Sequence, residues 1–296
     1  MAPRKRGVFL RQRFKALAIV LLDDESRRIE SENPDIPEPI TKSRGALLKT
    51  RMQDKVVLIT GAASGVGQAA AQALVEQGAR VVVADIDEHN GRETVQRLGE
   101  AALFVRLNIV DEYDWEQAIA VTYAHFGRLD AVVNNAGILP MGDIEQTSLQ
   151  DWRRTLSINA DGTFLGCKYA IAALREKGGA IVNLASTAAV AGHPGMCAYS
   201  ASKGAVAALT RNVAAHCLNH GYRIRCNTII PGGVRTPMTA AIWSGNDDLS
   251  FADNPKSPFC EPQDVANLIV FLVSDESRYI NGTEMRVDNA FLVALG

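Results

Sequence analysis

Tyr199 and Lys203 are the pair of residues whose types and spacing best suit proton transfer. They are four positions apart, so a helix would place them on the same face. A phenol with an ordinary pKa of about 10 is a poor base at neutral pH. A neighbouring ammonium group favours the phenolate, so we expect Lys203 to lower the pKa of Tyr199. Many helices carry Tyr and Lys at this spacing, and the pair alone does not identify an enzyme.

A glycine-rich turn earlier in the chain has the composition of a phosphate-binding loop. Its sequence is Thr60-Gly61-Ala62-Ala63-Ser64-Gly65-Val66-Gly67. Glycines at such a turn let a pyrophosphate reach the backbone N–H groups and the N-terminus of the next helix. The G-x-x-x-G-x-G spacing differs from the common G-x-G-x-x-G fingerprint. The motif is therefore either a plain tight turn or a dinucleotide site, and its position between a strand and a helix favours the latter.

Asp85 ends the second apolar run, about 20 residues after the glycines. A carboxylate at this place accepts hydrogen bonds from both hydroxyls of the adenosine ribose and repels a 2′-phosphate. Neither Ser64 nor Ile86 supplies a compensating positive charge. Asp85 therefore favours NAD(H) over NADP(H). The alternative is that Asp85 only caps the helix that follows.

Short apolar runs alternate with helical segments from Met52 onwards, and these elements must position the residues above. We predict strands at Val56–Thr60, Arg80–Ala84, Leu103–Leu107, Ala131–Asn134, Ala180–Leu184, Arg223–Ile229 and Glu284–Val287. We predict helices at Ala69–Gln77, Trp115–Phe126, Leu149–Leu174, Cys197–Asn219 and Pro262–Val273. This alternation is typical of a parallel sheet covered on both faces. The expected fold class is α/β, with one doubly wound domain over residues 52–296.

The charge of the chain is unevenly distributed. Residues 1–51 contain 12 Lys and Arg against 7 Asp and Glu, whereas the rest of the chain has a net charge of −7. The prolines between Glu32 and Pro39 indicate a linker. Residues 1–51 are therefore either a targeting segment or a dispensable, poorly ordered extension upstream of a natural start at Met52.

Composition and cysteine usage exclude several classes of protein. A chain with 47% hydrophobic and 22% charged residues is typical of globular domains. An acidic body argues against nucleic acid as a partner. The five cysteines are scattered, which favours a reducing compartment, the cytoplasm, over disulfides or a zinc site, and we expect no metal. No apolar run approaches the roughly 18 residues of a membrane span.

The motifs, taken together and in order, carry a resemblance to a known family. They are the glycine-rich turn, Asn134-Asn135-Ala136-Gly137, Ser186 after a strand, Tyr199-x-x-x-Lys203, and Pro231-Gly-Gly-Val234-Arg-Thr236. From about Met52 to Gly296 the chain resembles the short-chain dehydrogenase/reductase family, and in finer motifs its bacterial NAD-dependent hydroxysteroid and cyclic-alcohol dehydrogenases. The resemblance implies a Rossmann sheet of about seven strands and a homotetramer or homodimer.

The resemblance also implies roles for individual residues. Tyr199 would be the general acid/base on the substrate oxygen, Ser186 would orient that oxygen, and Lys203 would hold the nicotinamide ribose. Asn159 would support a water that links Lys203 to solvent. Asn108 stands where the family usually has Asp, and its side-chain oxygen still suits the adenine amino group. The expected NAD-binding residues are Gly61, Ser64, Gly65, Val66, Gly67, Asp85, Ile86, Asn108, Ile109, Asn135, Ala136, Gly137, Tyr199, Lys203, Pro231, Val234 and Thr236.

The substrate is expected to be apolar. A lid predicted at about residues 236–261 and nearby loops contribute large apolar side chains, namely Met238, Ile242, Trp243, Phe251 and Phe259 from the lid and Leu139, Met141, Val190 and Met196 from the loops. Arg235 is the one arginine that we expect near the site, which disfavours a charged substrate. We predict an NAD(H)-dependent oxidoreductase for a secondary alcohol and its ketone, steroid-like or alicyclic. The alternatives are a 3-oxoacyl or other ketone reductase and a dinucleotide-binding regulator without activity.

Overall fold

The structure, a computed structural model, describes residues 51–240, 257 and 259–294. The predicted N-terminal extension therefore lies outside the described residues except for Arg51. The same holds for most of the predicted lid, of which residues 236–240, 257 and 259–261 are described.

Seven parallel strands form the main sheet, as predicted. They are β1 (Val56–Thr60), β2 (Arg80–Asp85), β3 (Ala102–Arg106), β4 (Ala131–Asn134), β5 (Gly179–Leu184), β6 (Ile224–Pro231) and, after two short strands, β9 (Glu284–Val287). Their order across the sheet is β3-β2-β1-β4-β5-β6-β9, with every neighbouring pair parallel. The short strands β7 (Gly233–Val234) and β8 (Phe259–Cys260) pair with each other. The order reverses between β1 and β4, where open α/β sheets bind ligands.

Seven longer helices are described, and one predicted helix is interrupted. The helices are α1 (Gly65–Glu76), α2 (Glu88–Leu98), α3 (Glu112–Phe126), α4 (Leu149–Leu156), α5 (Gly162–Leu174), α6 (Cys197–Asn219) and α7 (Pro262–Val273). The helix predicted at Leu149–Leu174 has those outer bounds, and a π-helical turn at Ser157–Asp161, which the sequence did not predict, separates α4 from α5. Such turns are frequent at functional sites. Among the described residues, no helix has both the length and the apolarity to cross a membrane.

Alternating strand residues contribute to two apolar cores, one on each face of the sheet. Val57, Ile59 and Val83 pack on one face with residues of α1 and α7, such as Leu74 and Ile269. Val56, Leu58 and Val82 pack on the other face with residues of α3, α5 and α6, including the fully buried Trp115. Because both faces are covered, the strands are continuous apolar runs. The polar residues of the predicted site lie at the carboxyl ends of the strands, which the two cores do not cover.

Candidate active site

A cavity of about 410 Å³ lies at the carboxyl ends of the strands. It is lined by residues from the turns after β1, β2, β4 and β5, from α6, and from the segment after β6. Most predicted site residues line it together: Gly61, Ser64, Gly65, Val66, Asp85, Ile86, Asn108, Ile109, Asn135, Ala136, Gly137, Ser186, Tyr199, Lys203, Pro231, Val234 and Thr236. The two predicted residues that do not line it are Gly67 and Asn159.

The glycine-rich turn is held against the end of β4 by a tight set of hydrogen bonds. The Thr60 hydroxyl accepts the backbone N–H groups of Asn135 and Ala136, both at 3.1 Å. The Asn135 amide nitrogen donates to the carbonyl oxygens of Thr60 and Gly61, at 2.9 and 3.1 Å. These contacts join β1 and β4 at the point where the strand order reverses.

The glycines of this turn are required by its geometry. Gly61 and Gly65 have positive φ angles of 65° and 56°. A Cβ on Gly61 would lie 2.8 Å from the Cα of Ala136. A Cβ on Gly67 would lie 2.3 Å from the carbonyl oxygen of Gly61, so Gly67 allows α1 to pack closely on the turn. Gly67 therefore shapes the loop from behind, and its contact with the cofactor stays a prediction.

The start of α1 suits an anion. Ser64 precedes this helix, and its side chain makes no capping hydrogen bond within the described structure. The N–H groups of the first helical turn point at the cavity end of the helix, as they do in phosphate-binding loops. Because Gly61 and Gly65 have no Cβ, the turn also leaves room for a phosphate next to the backbone. The residues present thus fit the pyrophosphate of a dinucleotide.

Asp85 lies at the same end of the cavity as Ile86, Asn108 and Ile109. Its carboxylate accepts the N–H groups of Ala63, at 2.9 Å, and of Asp87, at 3.0 Å. The helix cap after β2 is Asp87, which accepts the N–H of Asn90. The alternative role of Asp85 as the cap of α2 is therefore wrong. The Asn108 side-chain oxygen accepts the N–H of Val110 at 3.4 Å, and Asn108 still lines the cavity.

Tyr199 and Lys203 lie one turn apart in α6 and both reach the cavity. The Lys203 ammonium donates to the Leu184 carbonyl oxygen at 2.7 Å and lies 5.7 Å from the centre of the Tyr199 ring. Ser186 follows β5, and its hydroxyl accepts the N–H of Ala188 at 3.2 Å. The end of β5 and helix α6 thus place the Ser186 hydroxyl, the Tyr199 phenol and the Lys203 ammonium group in the same cavity.

Burial dominates the electrostatics of this group. It raises the pKa of Tyr199 above the ordinary value of 10, while the hydrogen bond with Ser186 lowers it. Burial also lowers the pKa of Lys203 to about 8. The predicted lowering of the Tyr199 pKa by Lys203 is not seen in this structure. The ammonium lies at the ring and binds a backbone carbonyl, and loss of solvent outweighs the attraction between the two groups.

Asn159 lies in the π-helical turn, fully buried behind the cavity. Its side-chain oxygen accepts the N–H of Ile138 at 2.8 Å, and its nitrogen donates to the Ile138 carbonyl oxygen at 2.9 Å. The same nitrogen donates to the hydroxyl of Ser202 at 3.0 Å, and that hydroxyl donates to the Tyr199 carbonyl oxygen. Asn159 therefore connects the loop after β4 to the helix that carries Tyr199.

Sequence reasoning missed a buried polar cluster beneath the site. Asn183, in β5, accepts a hydrogen bond from Asn134, at 2.8 Å, and donates to Thr210 of α6, at 2.9 Å. The Thr228 hydroxyl in β6 also binds Thr210. The polar residues Asn134, Asn183 and Thr228 in otherwise apolar strands could have indicated this cluster. The cluster ties three strands and α6 together directly below Ser186 and Lys203.

The arginine and the apolar residues near the site differ from the prediction. Arg154 lines the cavity, whereas Arg235 does not and lies 3.9 Å from the Glu261 carboxylate. Leu139 and Met238 line the cavity as expected, whereas Met141, Val190, Met196 and Phe259 do not. The predicted lid residues Ile242, Trp243 and Phe251 lie outside the described residues. The residues in the cavity wall that the sequence did not single out are Leu107, Ile138, Arg154, Ile158, Leu184, Ala185, Gly232, Pro237 and Thr239.

The histidines of the chain lie away from the cavity. His193 stacks on Phe291, with ring centres 6.1 Å apart. His216 and His220 lie against each other at the end of α6, with ring centres 4.1 Å apart. No three His, Cys, Asp or Glu side chains within residues 51–240, 257 and 259–294 are grouped so that they could hold a metal ion.

Comparison with known proteins agrees with the site. Residues 61–291 match a family model described as enoyl-(acyl carrier protein) reductase. The chain is 41% identical over 250 residues to a 3-beta-hydroxysteroid dehydrogenase of Comamonas testosteroni, covering 83% of this chain and 98% of that protein. It is 39% identical over 248 residues to a trans-4-hydroxycyclohexanecarboxylate dehydrogenase of Sinomonas cyclohexanicum, with coverage of 80% and 93%.

A further relative differs in its cofactor. The chain is 35% identical over 246 residues to an NADP-dependent (R)-specific alcohol dehydrogenase of Lentilactobacillus kefiri, covering 81% of this chain and 98% of that protein. The relatives are matched over nearly their whole length by the part of the chain that contains the sheet and the cavity. On its motifs, its fold and these matches, the chain belongs to the short-chain dehydrogenase/reductase family.

Proposed function

We propose that this protein is an NAD(H)-dependent oxidoreductase that interconverts a secondary alcohol and a ketone on an apolar, alicyclic or steroid-like substrate. The observation that carries the proposal is the meeting of Ser186, Tyr199 and Lys203 in the cavity that also contains Asp85 and the glycine-rich turn. The relatives named for a hydroxysteroid and for a hydroxycyclohexanecarboxylate support the alicyclic part of this proposal.

Tyr199 and Ser186 act on the oxygen of the substrate. A bound nicotinamide supplies the hydride chemistry. In alcohol oxidation, the Tyr199 phenolate takes the proton of the substrate hydroxyl, and in ketone reduction the phenol returns it to the oxygen. Ser186 donates a hydrogen bond to that oxygen and so stabilises the negative charge that develops on it.

Lys203 and Asn159 support this proton transfer. Lys203 would bind a ribose hydroxyl of the cofactor, and its positive charge favours the phenolate form of Tyr199. Asn159 supports a water that links Lys203 to solvent. Asp85 would accept hydrogen bonds from the ribose hydroxyls of adenosine and repel a 2′-phosphate. Gly61, Gly65 and the start of α1 would hold the pyrophosphate.

A panel of alcohols and ketones tests this function. Purified protein is offered 3-hydroxysteroids, substituted cyclohexanols and their ketones with each nicotinamide cofactor, and turnover is followed by nicotinamide absorbance. We expect activity with NAD(H) on at least one alicyclic pair. A 3-oxoacyl thioester in the panel tests the reductase alternative. Tight NADH binding without turnover of any pair would instead indicate the dinucleotide-binding regulator.

A further inference from the structure

Three charged residues line the cavity, and one of them has no partner in the described structure. Asp85 accepts two backbone N–H groups, and the Lys203 ammonium donates to the Leu184 carbonyl oxygen. The third charged residue is Arg154 in the last turn of α4. Its guanidinium makes no hydrogen bond or ion pair with any residue in the described ranges. The five N–H donors of Arg154 are thus available to a ligand in the cavity.

The neighbours of Arg154 do not neutralise it. Asp151, one turn earlier in α4, is engaged by the Ser148 hydroxyl at 2.7 Å and belongs to the cap of this helix. The residues that line the cavity from the adjoining segments are the apolar Ile138, Leu139 and Ile158. A single guanidinium that is unpaired within the described ranges, in a cavity whose wall also contains these apolar side chains, matches a ligand with an apolar body and one anionic group.

We propose that Arg154 binds an oxyanion carried by a ligand of this cavity. A guanidinium pairs with the two oxygens of a carboxylate or phosphate through parallel hydrogen bonds, and this geometry favours oxyanions over other acceptors. The oxyanion has two sources, a carboxylate on the substrate or a phosphate of the cofactor. This inference rests on the proposed function and widens its substrate class to alicyclic alcohols that bear a carboxylate.

The chain offers a matched control. Arg153 precedes Arg154 in the same helix and has the same charge, and both residues are exposed, but Arg153 does not line the cavity. Arg154→Gln and Arg153→Gln remove one charge each from adjacent positions, so a difference between the two variants reports on the cavity. Arg154→Lys keeps the charge and removes the forked geometry.

The test measures both sources of the oxyanion. The kcat/KM is compared for cyclohexanol and trans-4-hydroxycyclohexanecarboxylate, and the Kd of NADH is measured by fluorescence titration. Cyclohexanecarboxylate, which has no hydroxyl, is titrated by thermal shift at saturating NADH, so that carboxylate binding is read without turnover.

If the substrate supplies the oxyanion, Arg154→Gln lowers kcat/KM about tenfold for the carboxylated alcohol only and weakens cyclohexanecarboxylate binding by about as much. If the cofactor supplies it, the same variant raises the Kd of NADH about tenfold and affects both alcohols alike. In either case Arg153→Gln stays close to the wild type. The proposal is overturned if Arg154→Gln changes the carboxylate and NADH titrations no more than Arg153→Gln does. A wild type that binds both ligands and turns over no alcohol or ketone of the panel contradicts the proposed function and leaves the Arg154 titrations decisive.

Discussion

Tyr199→Phe is expected to lower kcat about a thousandfold while the Kd of NADH stays within about twofold of the wild type. The substitution removes only the hydroxyl, and the ring keeps its place in α6. Proton transfer to the substrate oxygen then has no donor or acceptor at Tyr199, and Ser186 alone cannot take the proton. The measurement pairs steady-state kinetics with a fluorescence titration of NADH, so that chemistry and binding are separated.

A surface tyrosine provides the control for this prediction. Tyr279 is 99% exposed and far along the chain from α6, so Tyr279→Phe leaves kcat and NADH binding unchanged. Activity within tenfold of the wild type in Tyr199→Phe would remove this residue from the proposed proton transfer. Loss of NADH binding together with loss of activity would assign Tyr199 a role in the cofactor site instead.

Asp85→Asn is expected to lower the ratio of kcat/KM with NAD to kcat/KM with NADP by about a hundredfold. A carboxylate about 4 Å from a phosphate costs about 4 kcal/mol near a protein surface, and solvent at the half-buried Asp85 reduces this. The amide removes the charge and keeps one oxygen to accept the N–H of Ala63 or Asp87. The ratio is measured with whichever alcohol the panel identifies.

Asp87→Asn is the matched control for the cofactor prediction. Asp87 is a carboxylate two positions away that caps α2, and it does not line the cavity. Asn is an equally good cap residue, so the helix is preserved. We expect this variant to keep the wild-type cofactor ratio. A wild type that prefers NADP, as the relative from Lentilactobacillus kefiri does by name, would contradict the assignment of Asp85.

The sheet was predictable because its strands are short, β-branched and buried on both faces. Val56–Thr60 and Ala131–Asn134 were predicted with the bounds that the structure has. The break between α4 and α5 was not predictable, because one wider turn changes the helical period too little to disturb the pattern of apolar residues. Its consequence is large, since Asn159 lies in that turn.

Contacts between distant parts of the chain explain the other differences. Arg154 reaches the cavity because α4 follows the loop after β4, and no local pattern distinguishes it from Arg153. The partners of Asn183 described above, Asn134 and Thr210, come from β4 and α6, so its burial could not be read from its neighbours in sequence. The pKa of Tyr199 depends on how fully α6 is covered, which spacing does not indicate. The spacing of Tyr199 and Lys203 correctly predicted that they share one face of a helix, and both line the cavity.

The most direct test of the central claim follows the hydride itself. An alicyclic alcohol that the enzyme oxidises is prepared with deuterium on its carbinol carbon and incubated with NAD, and the reduced cofactor is analysed by mass spectrometry. We expect one deuterium in each reduced cofactor formed, and almost no reduced cofactor from the Tyr199→Phe variant. Reduced cofactor without deuterium, or full activity in Tyr199→Phe, would contradict the proposed hydride transfer.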